Sequence, residues 1–185
     1  MSLNTLHKAR KQKGMTFIEV LIALVIMVTG ILGAVAMQAT AKKGSFDAMQ
    51  RSLASSLAQD IIERMRGNDS TALALYAASS PYGSGKIAAS PVCNSGAALC
   101  TPANMVTHDL FGWEQALMGA GSQNSAGDKV GGLDGVVGCI TVNGNAVTVV
   151  VTWTGKAKFK DAKKVDACGV SSNTRRQVVV DAYIL

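Results

Sequence analysis

One carboxylate stands alone in an apolar run. From Met15 to Ala41 the only charged side chain is Glu19, and holding such a group near a bilayer centre costs roughly 2.5–3.5 kcal/mol, so it needs a purpose. Four cysteines, Cys93, Cys100, Cys139 and Cys168, supply a second chemistry. Their even number favours two disulfides in an oxidising compartment. Zinc is the competing reading, but no Cys-x-x-Cys occurs, Cys93 and Cys100 are widely spaced for a knuckle, and His7 and His108 are the only histidines. No Gly-x-Ser-x-Gly, phosphate loop or histidine-rich set is present, so neither an enzyme nor a cofactor is expected. Asp128 and Asp134 form no dense oxygen set for calcium.

The element that positions Glu19 is a long apolar helix. At ~1.5 Å per residue, residues 15–41 more than cross a hydrocarbon core of ~30 Å. Lys8, Arg10, Lys11 and Lys13 precede this run, and Lys42 and Lys43 follow it. The positive-inside rule places the N-terminus in the cytoplasm and the remainder outside. Of 18 Lys+Arg, four lie in that leader, which leaves 14 against 12 Asp+Glu, a net of +2. The basicity belongs mainly to the tail, and no nucleic-acid partner is expected. Ala34-Val35-Ala36 resembles a secretory cleavage site, but a cut there would discard Glu19.

The run Gly14-Met15-Thr16-Phe17-Ile18-Glu19-Val20-Leu21-Ile22-Ala23-Leu24 resembles the class III signal of type IV prepilins and type II secretion pseudopilins. The resemblance implies that a membrane aspartic peptidase cuts after Gly14 and methylates the new amine of Met15, where major pilins usually carry Phe. It further implies that Glu19 pairs with the positive N-terminus of an adjacent subunit and fixes axial register. Gly30-Ile31-Leu32-Gly33 places two glycines in the anchor, each costing about 1 kcal/mol of helix propensity relative to Ala. Small residues there permit close helix packing, and the placement resembles minor pilins of the PilV type.

Beyond the membrane, Phe46, Met49, Leu53, Leu57, Ile61 and Met65 recur at helical spacing, with Gln50 among the intervening polar positions. The amphipathic helix is expected to end at Arg66, with Gly67 able to adopt positive φ; from Met15 it would reach about 78 Å. The chain from Asn68 to Gly135, broken by Pro81, Pro91 and Pro102, predicts loops with one or two helical turns over 70–79. Asp109–Leu117 predicts a helix capped by Thr107 or Asp109, with Leu110, Trp113 and Leu117 on one face and Trp113 as a core anchor. Its spacing also resembles PilV-like minor pilins. Val136–Val142 and Ala146–Trp153 flank Asn143-Gly144-Asn145, a hairpin signal, and Gln177–Leu185 supplies a third strand. The basic run Lys156 to Lys164 is read as a solvated loop rather than a DNA, phospholipid or acidic-partner contact.

These readings predict a pilin-like α+β fold. Residues 1–14 form a removable leader, 15–41 a membrane and filament-core helix, 42–66 its amphipathic continuation, and 67–185 a periplasmic head with its sheet at 136–185. Chain proximity and the pilin habit of bonding the terminal region pair Cys139 with Cys168 and leave Cys93 with Cys100. The resemblance implies a minor pilin in the inner membrane and then the pilus, supporting adhesion and twitching motility. Expected partners are the prepilin peptidase, other minor and major pilins, the inner-membrane assembly platform and a tip adhesin. A minor pseudopilin of type II secretion shares the N-terminal logic. A DNA-uptake pilin would use Lys158, Lys160, Lys163 and Lys164 as its binding site, and a membrane-anchored periplasmic enzyme is the most remote reading.

Overall fold

The computed structural model describes residues 14–89, 93, 100–158 and 168–185. Residues 1–13 of the expected leader, and Lys160, Lys163 and Lys164, lie outside the described residues. The chain divides into two compact units, with the boundary between Lys42 and Lys43. One helix, α1 (Phe17–Arg66), belongs to both.

Within the first unit α1 is exposed throughout, with a mean hydropathy of 2.7 over its most apolar window. By length and composition it can cross a membrane. Its hydroxyls are served internally: Thr29 Oγ1 donates to the Val25 carbonyl at 2.9 Å and Thr40 Oγ1 to that of Ala36 at 3.2 Å. Neither side chain therefore carries an unmet hydrogen bond into an apolar medium.

In the second unit α1 buries Gln50, Ala54, Leu57, Ala58, Ile61, Ile62 and Met65. This corrects the stripe read from the sequence, because Met49 is 58% exposed and Gln50 only 4%. The buried face follows a drift of 3.6 residues per turn, and the small Ala54 and Ala58 let the backbone approach its neighbours there. Gly67 also departs from expectation. Its φ is not positive; its amide donates to the Glu63 and Arg64 carbonyls, both at 3.1 Å. The next residue, Asn68, ties the end of α1 to the head: its Nδ2 donates to the Tyr76 hydroxyl and the Pro102 carbonyl, both at 3.1 Å.

A 3-10 turn at Ser70–Ala72 leads into α2 (Leu73–Ala77). Helix α3 spans Pro102–Leu117, more than a turn longer at its start than the sequence suggested. Thr101 is its cap, accepting from the Asn104 amide at 3.2 Å. Thr107 and Asp109 lie inside the helix. Pro102 opens it rather than breaking the chain, since proline's fixed φ suits a first helical turn and its missing N–H is not needed there.

The three-stranded antiparallel sheet has the order β1 (Val137–Asn143), β2 (Ala146–Thr154), β3 (Arg175–Tyr183). Asn143 pairs with Ala146 across Gly144-Asn145, with Gly144 at φ +59°. Ile140, Val149 and Val180 align across one face, which packs with the buried face of α1. Ile184 lies beyond β3 and donates its amide to the Asn145 carbonyl at 2.9 Å.

Trp113 is the core anchor the sequence suggested. It is fully buried, donates Nε1–H to the Leu57 carbonyl at 2.8 Å and meets Tyr82 edge-on at 5.5 Å between ring centroids. Gly138 makes room for it: a Cβ on that residue would come within 2.6 Å of the indole. Trp113→Phe should therefore lower stability by about 2 kcal/mol, from lost packing and the lost N–H donor. A shift below about 0.5 kcal/mol in urea unfolding would show that α1 and α3 are not joined through this residue.

Candidate functional site

At the start of α1 the local chemistry gathers in a few residues. Gly14, Met15 and Thr16 precede the helix, and the Thr16 carbonyl accepts from the Glu19 amide at 3.1 Å and the Val20 amide at 3.3 Å. Glu19 therefore sits in the first helical turn, where the partial positive charge of free backbone N–H groups favours a carboxylate. Gly14 and Met15 stand just before the exposed apolar part of α1, and Glu19 lies in its first turn. An ideal Cβ on Gly30 or Gly33 would meet nothing within 4 Å, so both present bare backbone for another helix to approach.

The cysteines lie in the second unit, in two disulfides. Cys93 joins Cys100 and Cys139 joins Cys168. Cys139 points away from the α1-facing side of the sheet, and Cys168, 1% exposed, rests its Sγ 3.7 Å from the Val137 and Val150 carbonyls. The bond thus pins Cys168, shortly before β3, to β1 on the outer face.

Two carboxylates fix the head: Glu114, to which the sequence assigned no role, and Asp109, which it suggested only as a helix cap. Glu114, 1% exposed, accepts four backbone N–H groups: Gly83, Ser84 and Gly85 on Oε1 at 3.0, 3.2 and 3.1 Å, and Ile87 on Oε2 at 2.9 Å. Burial pushes its pKa up, but the four donors together outweigh that and hold the carboxyl below its ordinary value. Positive φ at Gly83 and Gly85 lets successive amides turn toward one anion. The available signal was Gly83-Ser84-Gly85 together with an acid on an apolar helix face.

Asp109 is the second. It accepts the Tyr76 hydroxyl at 2.6 Å and lies 3.6 Å from Arg64, whose Nε also donates to Asp60 at 2.9 Å. This ties the last turn of α1 to α2 and α3. Burial and the bond to Asp109 raise the Tyr76 pKa, and burial lifts that of Tyr82 to about 12. Burial alone would lower the Arg64 pKa, but the bonds and charges of Asp60 and Asp109 raise it.

No group of three His, Cys, Asp or Glu able to hold a metal occurs among the described residues. A cleft of about 640 Å³ beside Phe46, Leu53 and Leu133 has no Ser, Cys or His in its lining. Of the basic run, Lys156 pairs with Asp134 at 3.3 Å and lies over the Phe46 ring at 5.4 Å, so structural contacts occupy it.

Two family models match the chain. The prokaryotic N-terminal methylation motif covers residues 9–35, and the model described as type IV pilin Tt1218 covers residues 36–111. Together they run without a gap over more than half of the sequence. No curated protein and no solved structure matches it.

Proposed function

Because the chain belongs to the type IV pilin-like family, we propose that it is a minor pilin, held in the inner membrane with its head in the periplasm until assembly. The observation that carries this reading is Glu19, a lone carboxylate in the first turn of an exposed apolar helix, five residues after Gly14. Cleavage after Gly14 would leave α1 intact as an anchor, whereas a cut after residue 36 would release the head. Glycine offers no side chain to a peptidase approaching extended backbone. The new amine of Met15, methylated, then meets the Glu19 carboxylate of a neighbour. Desolvation offsets much of that attraction, so the pair contributes register more than strength.

The Gly30-Ile31-Leu32-Gly33 and Asp109–Leu117 segments favour a minor subunit that primes or modifies assembly, and through it adhesion and twitching motility. Its partners are the prepilin peptidase, other pilins and the assembly platform. Mass spectrometry of the mature N-terminus should give a chain beginning at methylated Met15. Gly14→Val should accumulate uncut protein. Glu19→Val should still be cut and inserted, yet fall at least about tenfold in sheared filaments, equivalent to about 1.4 kcal/mol of docking free energy. A mature chain starting after residue 35 overturns the processing. A deletion strain with normal pili and movement overturns the assembly role.

A further inference from the structure

Strand β3 pairs with β2 along one edge, and its other edge has no backbone partner among the described residues. Arg175–Tyr183 holds neither proline nor lysine to blunt that edge, and Val179 is 43% exposed. Beside the start of β3 lies a cleft of about 320 Å³, lined by Asp47, Ala48 and Arg51 of α1 and by Trp153, Arg176 and Gln177 of the sheet. Four buried side-chain polar atoms lack a partner among the described residues; one of them, the indole Nε1 of Trp153, is on the α1-facing side of the sheet with this cleft, whereas Oε1 of Gln177, which pairs with Thr152, is on the outer face. Trp153 is 1% exposed. Buried groups of this kind ordinarily find partners, so the open indole donor beside the cleft marks a place where an acceptor binds.

The charges narrow what that is. Asp47 is engaged by the Lys156 amide at 2.9 Å and by Arg176 at 3.6 Å, and Arg176 also donates to the Ala157 carbonyl at 2.6 Å. Arg51 is exposed and pairs with no described residue. The lining therefore has an excess of one positive charge, carried at the rim. We propose that the cleft and the free edge of β3 form one docking surface for an extended polypeptide segment of another chain that carries an acidic side chain. A peptide carbonyl supplies the acceptor that Trp153 requires, the acidic side chain of the segment meets Arg51, and the backbone of the segment continues along β3 by strand addition.

The test uses the ¹⁵N-labelled full chain in detergent micelles. The probe is an acetylated, amidated peptide of alternating Val and Thr with one central Glu. Expected results are movement of the Trp153 indole N–H resonance, with Trp113 as unmoved internal control, and exchange slowed at least about tenfold for the β3 amides that face away from β2. Arg51→Glu, or Lys for Glu in the peptide, should weaken both effects at least about tenfold. A peptide with N-methylated backbone amides should slow no β3 exchange. An unmoved Trp153 resonance overturns the proposal, as does acetate alone reproducing the whole effect, which would make this a site for free carboxylates. Concentration-dependent protection of β3 without peptide also overturns it, by assigning the edge to a second copy of the chain.

Discussion

Glu114→Gln is expected to destabilise the head by about 3–5 kcal/mol, because a carbonyl and an amide replace a carboxylate that accepts four backbone N–H groups. The amide nitrogen would turn donors toward donors, leaving at least one buried N–H unmet. Urea unfolding of detergent-solubilised protein, followed through the fluorescence of Trp113 and Trp153, measures this directly. Glu63→Gln is the control: its 2.7 Å bond to Arg66 is exposed at both partners, and such pairs contribute about 0–1 kcal/mol. Similar losses in the two variants would rule out a special role for the Glu114 cradle.

The pH dependence follows from the sign of the shift. The folded-state pKa of Glu114 lies below its ordinary value of 4.5, so the unfolded chain takes up the proton first as pH falls. The stabilisation from ionised Glu114 is fully present above that ordinary value and is lost as pH falls through the depressed folded-state value. Glu114→Gln has no such titration. The stability gap between wild type and variant should therefore narrow in acid and hold constant toward neutral pH.

Removing the Cys139–Cys168 bond by paired Ala substitutions should cost roughly 3–4 kcal/mol, against about 2 kcal/mol for Cys93–Cys100. The difference follows from loop length, with sequence separations of 29 and 7 residues; the longer loop restrains the unfolded chain more. Loss of the Cys139–Cys168 bond also frees the segment that covers the Val137 and Val150 carbonyls on the outer face of the sheet. Comparable losses for the two pairs would show that loop closure is not the main contribution.

Much of this fold is written in local patterns. The apolar run with a single acid, the hairpin around Gly144 and the valine-rich third strand each follow from a few neighbouring residues, and the structure has helix and strands at those places. The exchange of Met49 for Gln50 on the buried face is less legible, because only packed neighbours decide which side of a helix is covered. The start of α3 is ambiguous for a related reason: a proline marks either a break or a first turn, and the Thr101 cap that selects between them is clear only in three dimensions.

The residues proposed to act in processing and docking, Gly14, Met15 and Glu19, stand within six positions of one another, so their proposed chemistry is legible in the sequence alone. Folding brings Glu114 to the amides of Gly83, Ser84, Gly85 and Ile87 across about thirty positions, Asp109 to Arg64 and Tyr76, and Arg51 to Trp153. Such sites need long-range packing to align groups whose separate identities carry no sign of their partners. The sequence determined what the N-terminal helix offers to a membrane and to neighbouring chains. Tertiary structure alone decided which acids the head buries, and which edge of its sheet has no partner among the described residues.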